Sequence, residues 1–204
     1  MRRIAVAAVA AFVVSGCVSL FPKEPPAQLY RFGADLPAIE RSPADVASSF
    51  AIEVMPIDFS SAAAGSQILT TEGNEAAYIK GGRWVSGAKS LFEQALANAF
   101  DADRGPARLM ALGEAVKPDY YLKLDVRTFE TRYANGPKSA PTVRIVVYAA
   151  LSAPGAAKVT AERLFSTEAP AEADRGSAIA TAYNQAVDRV LQNLVKWADA
   201  RGAD

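Results

Sequence analysis

Two segments of the chain repeat apolar residues at the spacing of an α-helix. Positions three and four apart share one helix face, so each segment predicts an amphipathic helix. In residues 86–101 the apolar stripe consists of Ala88, Leu91, Phe92, Ala95, Leu96, Ala99 and Phe100. In residues 177–200 it consists of Ile179, Tyr183, Ala186, Val187, Val190, Leu191, Leu194 and Ala198. Ser86 is the predicted N-cap of the first helix, because its hydroxyl can accept a hydrogen bond from a free backbone N–H group.

Three long segments alternate apolar and polar residues, as strands covered on one side do. They are residues 120–128, 142–151 and 159–167. Shorter strands are predicted at residues 28–32 and 50–59, and a hairpin at residues 67–71 and 76–80 around Gly73-Asn74. Together these elements predict an α+β domain in which two amphipathic helices pack on one face of an antiparallel sheet.

The first residues have the pattern of a signal peptide. Arg2 and Arg3 precede an uninterrupted apolar run at residues 4–14. As a helix this run would be about 16 Å long, roughly half the thickness of a hydrocarbon core, so it is too short to span a membrane. Residues 14–17 read Val-Ser-Gly-Cys, which resembles the lipobox of bacterial lipoproteins. We therefore expect removal of residues 1–16 and lipid attachment to Cys17, rather than an ordinary secretory signal with an incidental cysteine.

Acylation of Cys17 would anchor the mature chain in a membrane. One acyl chain binds weakly, at about 0.8 kcal/mol per buried methylene, so several chains such as palmitate are needed for a lasting anchor. Val18 follows the cysteine, and by resemblance to the lipoprotein sorting rule the absence of Asp there implies the outer membrane. Residues 17–27 are rich in proline and predict an extended tether. Residues 28–204 then form one periplasmic domain.

The composition excludes several classes of function. The 22 basic residues balance 22 acidic residues, so the chain lacks the electrostatic footprint of nucleic-acid binding. There is no histidine, which excludes imidazole general bases and imidazole metal ligands. Cys17 is the single cysteine, and its acylation would leave no free thiolate. We therefore expect a protein that is not an enzyme and that binds no metal or cofactor.

Two motifs could still carry chemistry. Residues 86–89 read Ser-Gly-Ala-Lys, the Ser-x-x-Lys arrangement of penicillin-recognising enzymes, whose serine and lysine lie one helical turn apart. No Ser-Asp-Asn or Lys-Thr-Gly motif accompanies it, and a helix-capping serine followed by a solvated lysine explains the same residues. Asp101, Asp103 and Asp119 could hold a cation, but acidic residues in turns are more often simply solvated.

The most distinctive side chains lie in and beside the predicted hairpin. Tyr78, Ile79, Arg83 and Trp84 surround the flexible pair Gly81-Gly82. Tyr, Trp and Arg are the residues that most often anchor protein interfaces, so these four are candidate partner-binding residues. The alternative is that the aromatic side chains pack in the core beneath the first helix.

The hairpin also carries a family resemblance. Residues 67–75 read Gln-Ile-Leu-Thr-Thr-Glu-Gly-Asn-Glu, and Tyr78 and Arg83-Trp84 follow at fixed distances. With the lipobox, Leu29-Tyr30 and the late Lys196-Trp197, this sequence resembles the ABC-type transport auxiliary lipoprotein component family, which includes the paraquat-inducible protein C-like lipoproteins. Residues 60–66 depart from the family, which often has a charged pair before the Gln.

The resemblance implies a role rather than a reaction. Such lipoproteins are periplasmic docking parts of MCE-type systems, in which an ABC transporter complex and an MCE-domain protein move lipids between the inner and outer membranes. Docking around an MCE ring is compatible with a homo-oligomer. The main alternative is a lipoprotein that itself binds hydrophobic cargo in a groove between helix and sheet. A third alternative is an activator of a cell-wall enzyme.

Overall fold

The computed structural model describes residues 26–33, 48–111 and 113–201. The predicted signal peptide, Cys17 and most of the predicted tether lie outside these residues. Within them, no helix is both long enough and apolar enough to cross a membrane.

The described residues form two helices and a nine-stranded sheet. The strands are β1 (Gln28–Tyr30), β2 (Phe50–Val54), β3 (Asp58–Phe59), β4 (Gln67–Glu72), β5 (Glu75–Trp84), β6 (Ala107–Leu109), β7 (Tyr120–Arg132), β8 (Thr142–Ser152) and β9 (Ala161–Pro170). The helices are α1 (Ala88–Asp101) and α2 (Gly176–Arg201). This order confirms the predicted α+β class, both amphipathic helices and the hairpin.

The long strand β7 organises the sheet. One side of β7 pairs antiparallel with β8, which in turn pairs antiparallel with β9. The other side pairs with β2, β3 and β4 one after another, and all three run parallel to β7. Beyond them, β5 pairs antiparallel with β4, β1 parallel with β5, and β6 parallel with β2. The sheet is therefore mixed rather than antiparallel throughout, because alternation of side chains predicts a strand but not its direction.

Both helices pack on one face of this sheet, as predicted. The ring of Phe129 on β7 lies 6.5 Å from Phe92 of α1 and 4.9 Å from Tyr183 of α2. Tyr183 is fully buried, and the hydroxyl of Thr131 donates a hydrogen bond to its hydroxyl oxygen at 3.2 Å. Burial raises the pKa of Tyr183 above its usual value, so this phenol stays neutral in the folded domain.

The start of α1 differs from the prediction. Gly87 is the N-cap, and no side chain makes the capping hydrogen bond, so Ser86 is not the cap. The free N–H groups of Ala88 and Lys89 instead donate to the carbonyl oxygens of Gly65 and Ala64, at 3.0 and 3.2 Å. The small-residue loop at 60–66 therefore caps the helix through its backbone, a tertiary contact that local sequence cannot reveal.

Candidate docking surface

The hairpin of β4 and β5 contains a wide bulge. Leu69 is paired with Tyr78, whereas Gln67 is paired with Arg83, so several residues of β5 have no partner on β4. Gly81 lies in this bulge at φ +74°, a conformation that favours glycine. The bulge reverses the alternation of β5, because Tyr78 and Arg83 face the same side although they are an odd number of residues apart.

Trp84 is a core residue in the structure. Its side chain is 2% exposed, and its ring meets the rings of Phe32 at 5.0 Å and Tyr183 at 4.9 Å, both edge to face. The indole is thus already covered by this domain's own aromatic residues. The core alternative applies to Trp84, and its assignment as a partner-binding side chain is wrong.

Tyr78 lies on the opposite face of the hairpin. Its side chain is 44% exposed, and its hydroxyl donates a hydrogen bond to the carbonyl oxygen of Ala62 at 3.0 Å. This bond ties the hairpin to the loop at 60–66 and fixes the direction of the ring. The adjacent Ile79 is half-buried against the core, so it offers only part of its side chain to a partner.

Arg83 joins Tyr78 on the exposed side, between two other exposed residues. It is in register with Leu29 of β1 and with Gln67 of β4. Leu29 is 64% exposed, although it is a large apolar residue. We name the set Leu29, Gln67, Leu69, Tyr78 and Arg83 the hairpin face. It lies opposite the side of these strands that carries Ile68 and Trp84.

The sequence prediction missed Leu29 and Gln67 as members of this surface. A signal for Leu29 was present, because in the predicted strand at 28–32 Leu29 faces the side opposite to Tyr30. Gln67 could not be placed without the register of the bulged hairpin. The structure brings Tyr78 and Arg83 together with these two residues and separates Trp84 from them.

The two residues of the Ser-x-x-Lys motif are not both on the helix. Ser86 is exposed and precedes the helix, so it does not lie one helical turn from Lys89. The ammonium of Lys89 lies instead 4.0 Å from the carboxylate of Glu93. Both residues therefore fit the simpler explanation of a solvated helix start.

The three acidic residues do not converge on a cation site. The carboxylate of Asp119 accepts a hydrogen bond from the N–H of Ala51 at 2.7 Å, and that of Asp103 accepts one from the N–H of Gly105. In the described part of the chain, no three carboxylate or thiol groups are arranged to hold a metal ion. The acidic side chains thus stabilise turns and strand ends.

Comparison with known proteins gives a consistent picture. The model of the ABC-type transport auxiliary lipoprotein component family matches residues 30–195. The crystal structure of protein XCC0632 from Xanthomonas campestris is similar at 26% identity and a TM-score of 0.71, covering 87% of this chain and 97% of that one. The hypothetical protein CT253 from Chlamydia trachomatis shares the fold at 5% identity and a TM-score of 0.55, covering 76% of this chain and 99% of that one. No curated protein matches the sequence.

Proposed function

The chain belongs to the family of ABC-type transport auxiliary lipoprotein components, and on that premise we propose that it is a docking component of an MCE-type lipid-transport system. In this proposal the protein carries out no reaction. Lipid on Cys17 anchors it in the outer membrane, and the hairpin face binds an MCE-domain protein that works with the ABC transporter complex.

The observation that carries the docking role is the composition of the hairpin face. Its centre is a row of three exposed side chains in register, Leu29, Arg83 and Gln67. An exposed Leu beside Arg and Tyr is typical of interface centres, where apolar contact is combined with directional hydrogen bonds. Trp84 lies beneath this row and fixes its position through the core, so a partner would meet a preformed surface.

The position of the tether supports the same surface. β1 is the first described strand, and it lies at the edge of the sheet beside β5. Residues 17–27 connect Cys17 directly to β1, and a fully extended segment of that length reaches at most about 40 Å. In this proposal Leu29 of the hairpin face therefore stays within about 40 Å of the lipid anchor.

A second candidate function follows from a groove between α1 and the bend after β2. The groove has a volume of about 360 Å³ and is lined mainly by apolar side chains, among them Met55, Ile57, Leu96 and Leu109. Met55 is 42% exposed at its edge. This groove is where the protein would hold hydrophobic cargo itself, if it acts as a carrier rather than a docking part.

Photo-crosslinking in cells tests the docking role. A photoreactive amino acid at position 29 is expected to capture the MCE-domain protein. The matched control is position 159, because Val159 is 50% exposed and lies near the far edge of the sheet. Equal capture from both positions, or capture of no transporter component, would contradict the proposal.

Mass spectrometry of the purified protein tests the carrier function. Lipid that is bound to the parent protein and lost in Met55→Asp would favour this function.

The anchor has its own test. Cys17→Ala is expected to abolish lipid attachment and leave the precursor unprocessed, because the thiol carries the lipid that the signal peptidase of lipoproteins requires. Membrane fractionation and the mass of the mature chain measure this. A normally processed Cys17→Ala protein in the outer-membrane fraction would contradict the lipobox interpretation.

A further inference from the structure

A second groove lies at the opposite edge of the sheet, between β9 and the last turns of α2. It has a volume of about 450 Å³, within the range of small-molecule sites. Its lining contains three cationic side chains, Arg163, Lys196 and Arg201, and no acidic side chain among the described residues. The groove is separated from the hairpin face by the width of β8 and β7.

The position of Arg163 is unusual for a strand residue. Arg163 is paired with Ala149 of β8 and faces the same side of the sheet as the helices, yet its side chain is exposed. A side chain there would ordinarily be apolar. The guanidinium lies 5.2 Å from the centre of the Phe165 ring, above its face. This cation–π contact helps to hold the guanidinium in place. In the described residues no carboxylate pairs with Arg163, which leaves its N–H groups free to donate to a ligand.

Two aromatic side chains lie beneath the groove. Phe165 and Trp197 are each 6% exposed, and their rings meet edge to face with centroids 5.7 Å apart. Lys196 and Arg201 are exposed beside these rings, and the described structure shows no ion pair for either. The groove thus presents positive charge above two aromatic rings that are themselves almost fully covered.

Nearby negative charge does not neutralise the groove. On α2, the carboxylates of Asp188 and Asp199 point elsewhere, towards Asn184 and the N–H of Ala107. The carboxyl end of a helix contributes about half a negative charge, which is small beside three cations. Among the described residues, the side chains that line the groove therefore carry a net positive charge, which suits an anion.

We propose that this groove binds a phosphate group, and that the phosphate belongs to the headgroup of an anionic amphiphile. A phosphate can accept two parallel hydrogen bonds from the guanidinium of Arg163, and Lys196 and Arg201 supply further positive charge. Leu164, which lines the groove and is 54% exposed, offers an apolar contact for the first acyl carbons beside the phosphate. This site goes beyond the docking role and deepens it, because it assigns the protein a contact with the lipid that the proposed system moves.

The experiment uses the lipidated full chain in a non-ionic detergent and measures binding by native mass spectrometry. The probes are phosphatidylglycerol, phosphatidylcholine and diacylglycerol, with glycerol 3-phosphate as a soluble competitor. Phosphatidylglycerol is expected to bind most tightly, since phosphatidylcholine carries a compensating cation and diacylglycerol lacks phosphate. Displacement of the lipid by glycerol 3-phosphate would confirm phosphate recognition. Tight binding of glycerol 3-phosphate but not of phosphatidylglycerol would identify a soluble phosphate ester as the source.

Two double variants locate the site. Arg163→Gln with Lys196→Gln is expected to weaken phosphatidylglycerol binding about tenfold or more. The control, Lys123→Gln with Arg132→Gln, removes the same charge from the other face of the sheet and is expected to bind normally. A third variant, Arg163→Lys, keeps the positive charge at position 163. It is expected to retain part of the phosphatidylglycerol binding that the Gln double variant loses. That result would show that the loss comes from recognition of the ligand and not from misfolding.

Three results would overturn the phosphate site. They are equal binding of phosphatidylglycerol and phosphatidylcholine, equal loss in both double variants, and no binding of any phosphate probe. Arg163 would then serve only to discourage pairing at the open edge of β9, a known use of inward-facing charge on edge strands. Crosslinking from position 29 is independent of these variants, so failure of the groove and failure of docking can be told apart.

Discussion

The ring of Trp84 on β5 meets the ring of Tyr183 on α2 edge to face, with centroids 4.9 Å apart. This contact joins the end of the hairpin to the long C-terminal helix. Because both side chains are buried, the hairpin face is held by the same aromatic cluster that fills the core. The position of the proposed docking surface therefore depends on core packing rather than on the turn of the hairpin.

Trp84→Ala is expected to destabilise the domain by about 3–5 kcal/mol, because it leaves a cavity between β5 and α2. Tyr78→Ala is the matched aromatic control on the exposed side, where only part of the ring and one hydrogen bond are lost. Its cost should be about 1 kcal/mol. Urea unfolding of both variants measures the difference. Similar costs for the two substitutions would contradict the burial of Trp84.

Gly33 joins the two helices through its backbone. Its N–H donates to the side-chain oxygen of Asn184 on α2 at 2.8 Å, and its carbonyl accepts from the side-chain amide of Asn98 on α1 at 3.0 Å. Gly33 has φ +67°, and a Cβ atom there would collide with the Cβ of Ala95. Gly33→Ala is therefore expected to cost about 2 kcal/mol or more, from backbone strain and overpacking together.

Gly65→Ala is the control for that substitution. Gly65 has an ordinary φ, and nothing lies within 4 Å of a Cβ atom added there. Its unfolding free energy should change by less than about 0.5 kcal/mol. If thermal unfolding shows that Gly33→Ala is as mild as Gly65→Ala, the bridge between the helices is not as the structure places it.

Ser86→Ala should have almost no effect. The sequence alone predicts a lost helix cap, at a cost of about 0.5–2 kcal/mol. Because the backbone of the 60–66 loop makes the capping hydrogen bonds, we expect a change below about 0.5 kcal/mol and normal capture of the partner. A folded Ser86→Ala protein without function, or covalent labelling of Ser86 by a β-lactam, would revive a catalytic role for the Ser-x-x-Lys motif.

The sequence predicted the two helices and the long strands because their periodicity records which side is buried. It did not predict that β2, β3 and β4 run parallel to β7, since alternation is the same for either direction. It also left open whether Trp84 packs in the core or binds a partner. By simple alternation Trp84 would share a face with Tyr78, and only the bulge around Gly81 turns Trp84 inward and brings Arg83 beside Tyr78.

The groove beside β9 illustrates a different limit. The alternation of residues 159–167 predicts a strand in which Arg163 shares a face with Ala161 and Phe165. A charged residue on this apolar face is an anomaly that the sequence alone reveals. The sequence does not reveal the proximity of Arg163 to Lys196 and Trp197, because this depends on how α2 lies across the edge of the sheet. Local patterns thus indicate single anomalous residues, whereas the site they form requires the packed fold.

The affinity of the lipidated protein for the MCE-domain protein tests the docking role most directly. The variant Leu29→Ser with Arg83→Gln is compared with the control Val159→Ser with Lys158→Gln, which changes two exposed residues near the far edge of the sheet. Both should unfold within about 0.5 kcal/mol of the parent. We predict that the first binds about thirtyfold more weakly, or about 2 kcal/mol, and that the control binds normally. Equal affinities of the two folded variants would contradict docking through the hairpin face.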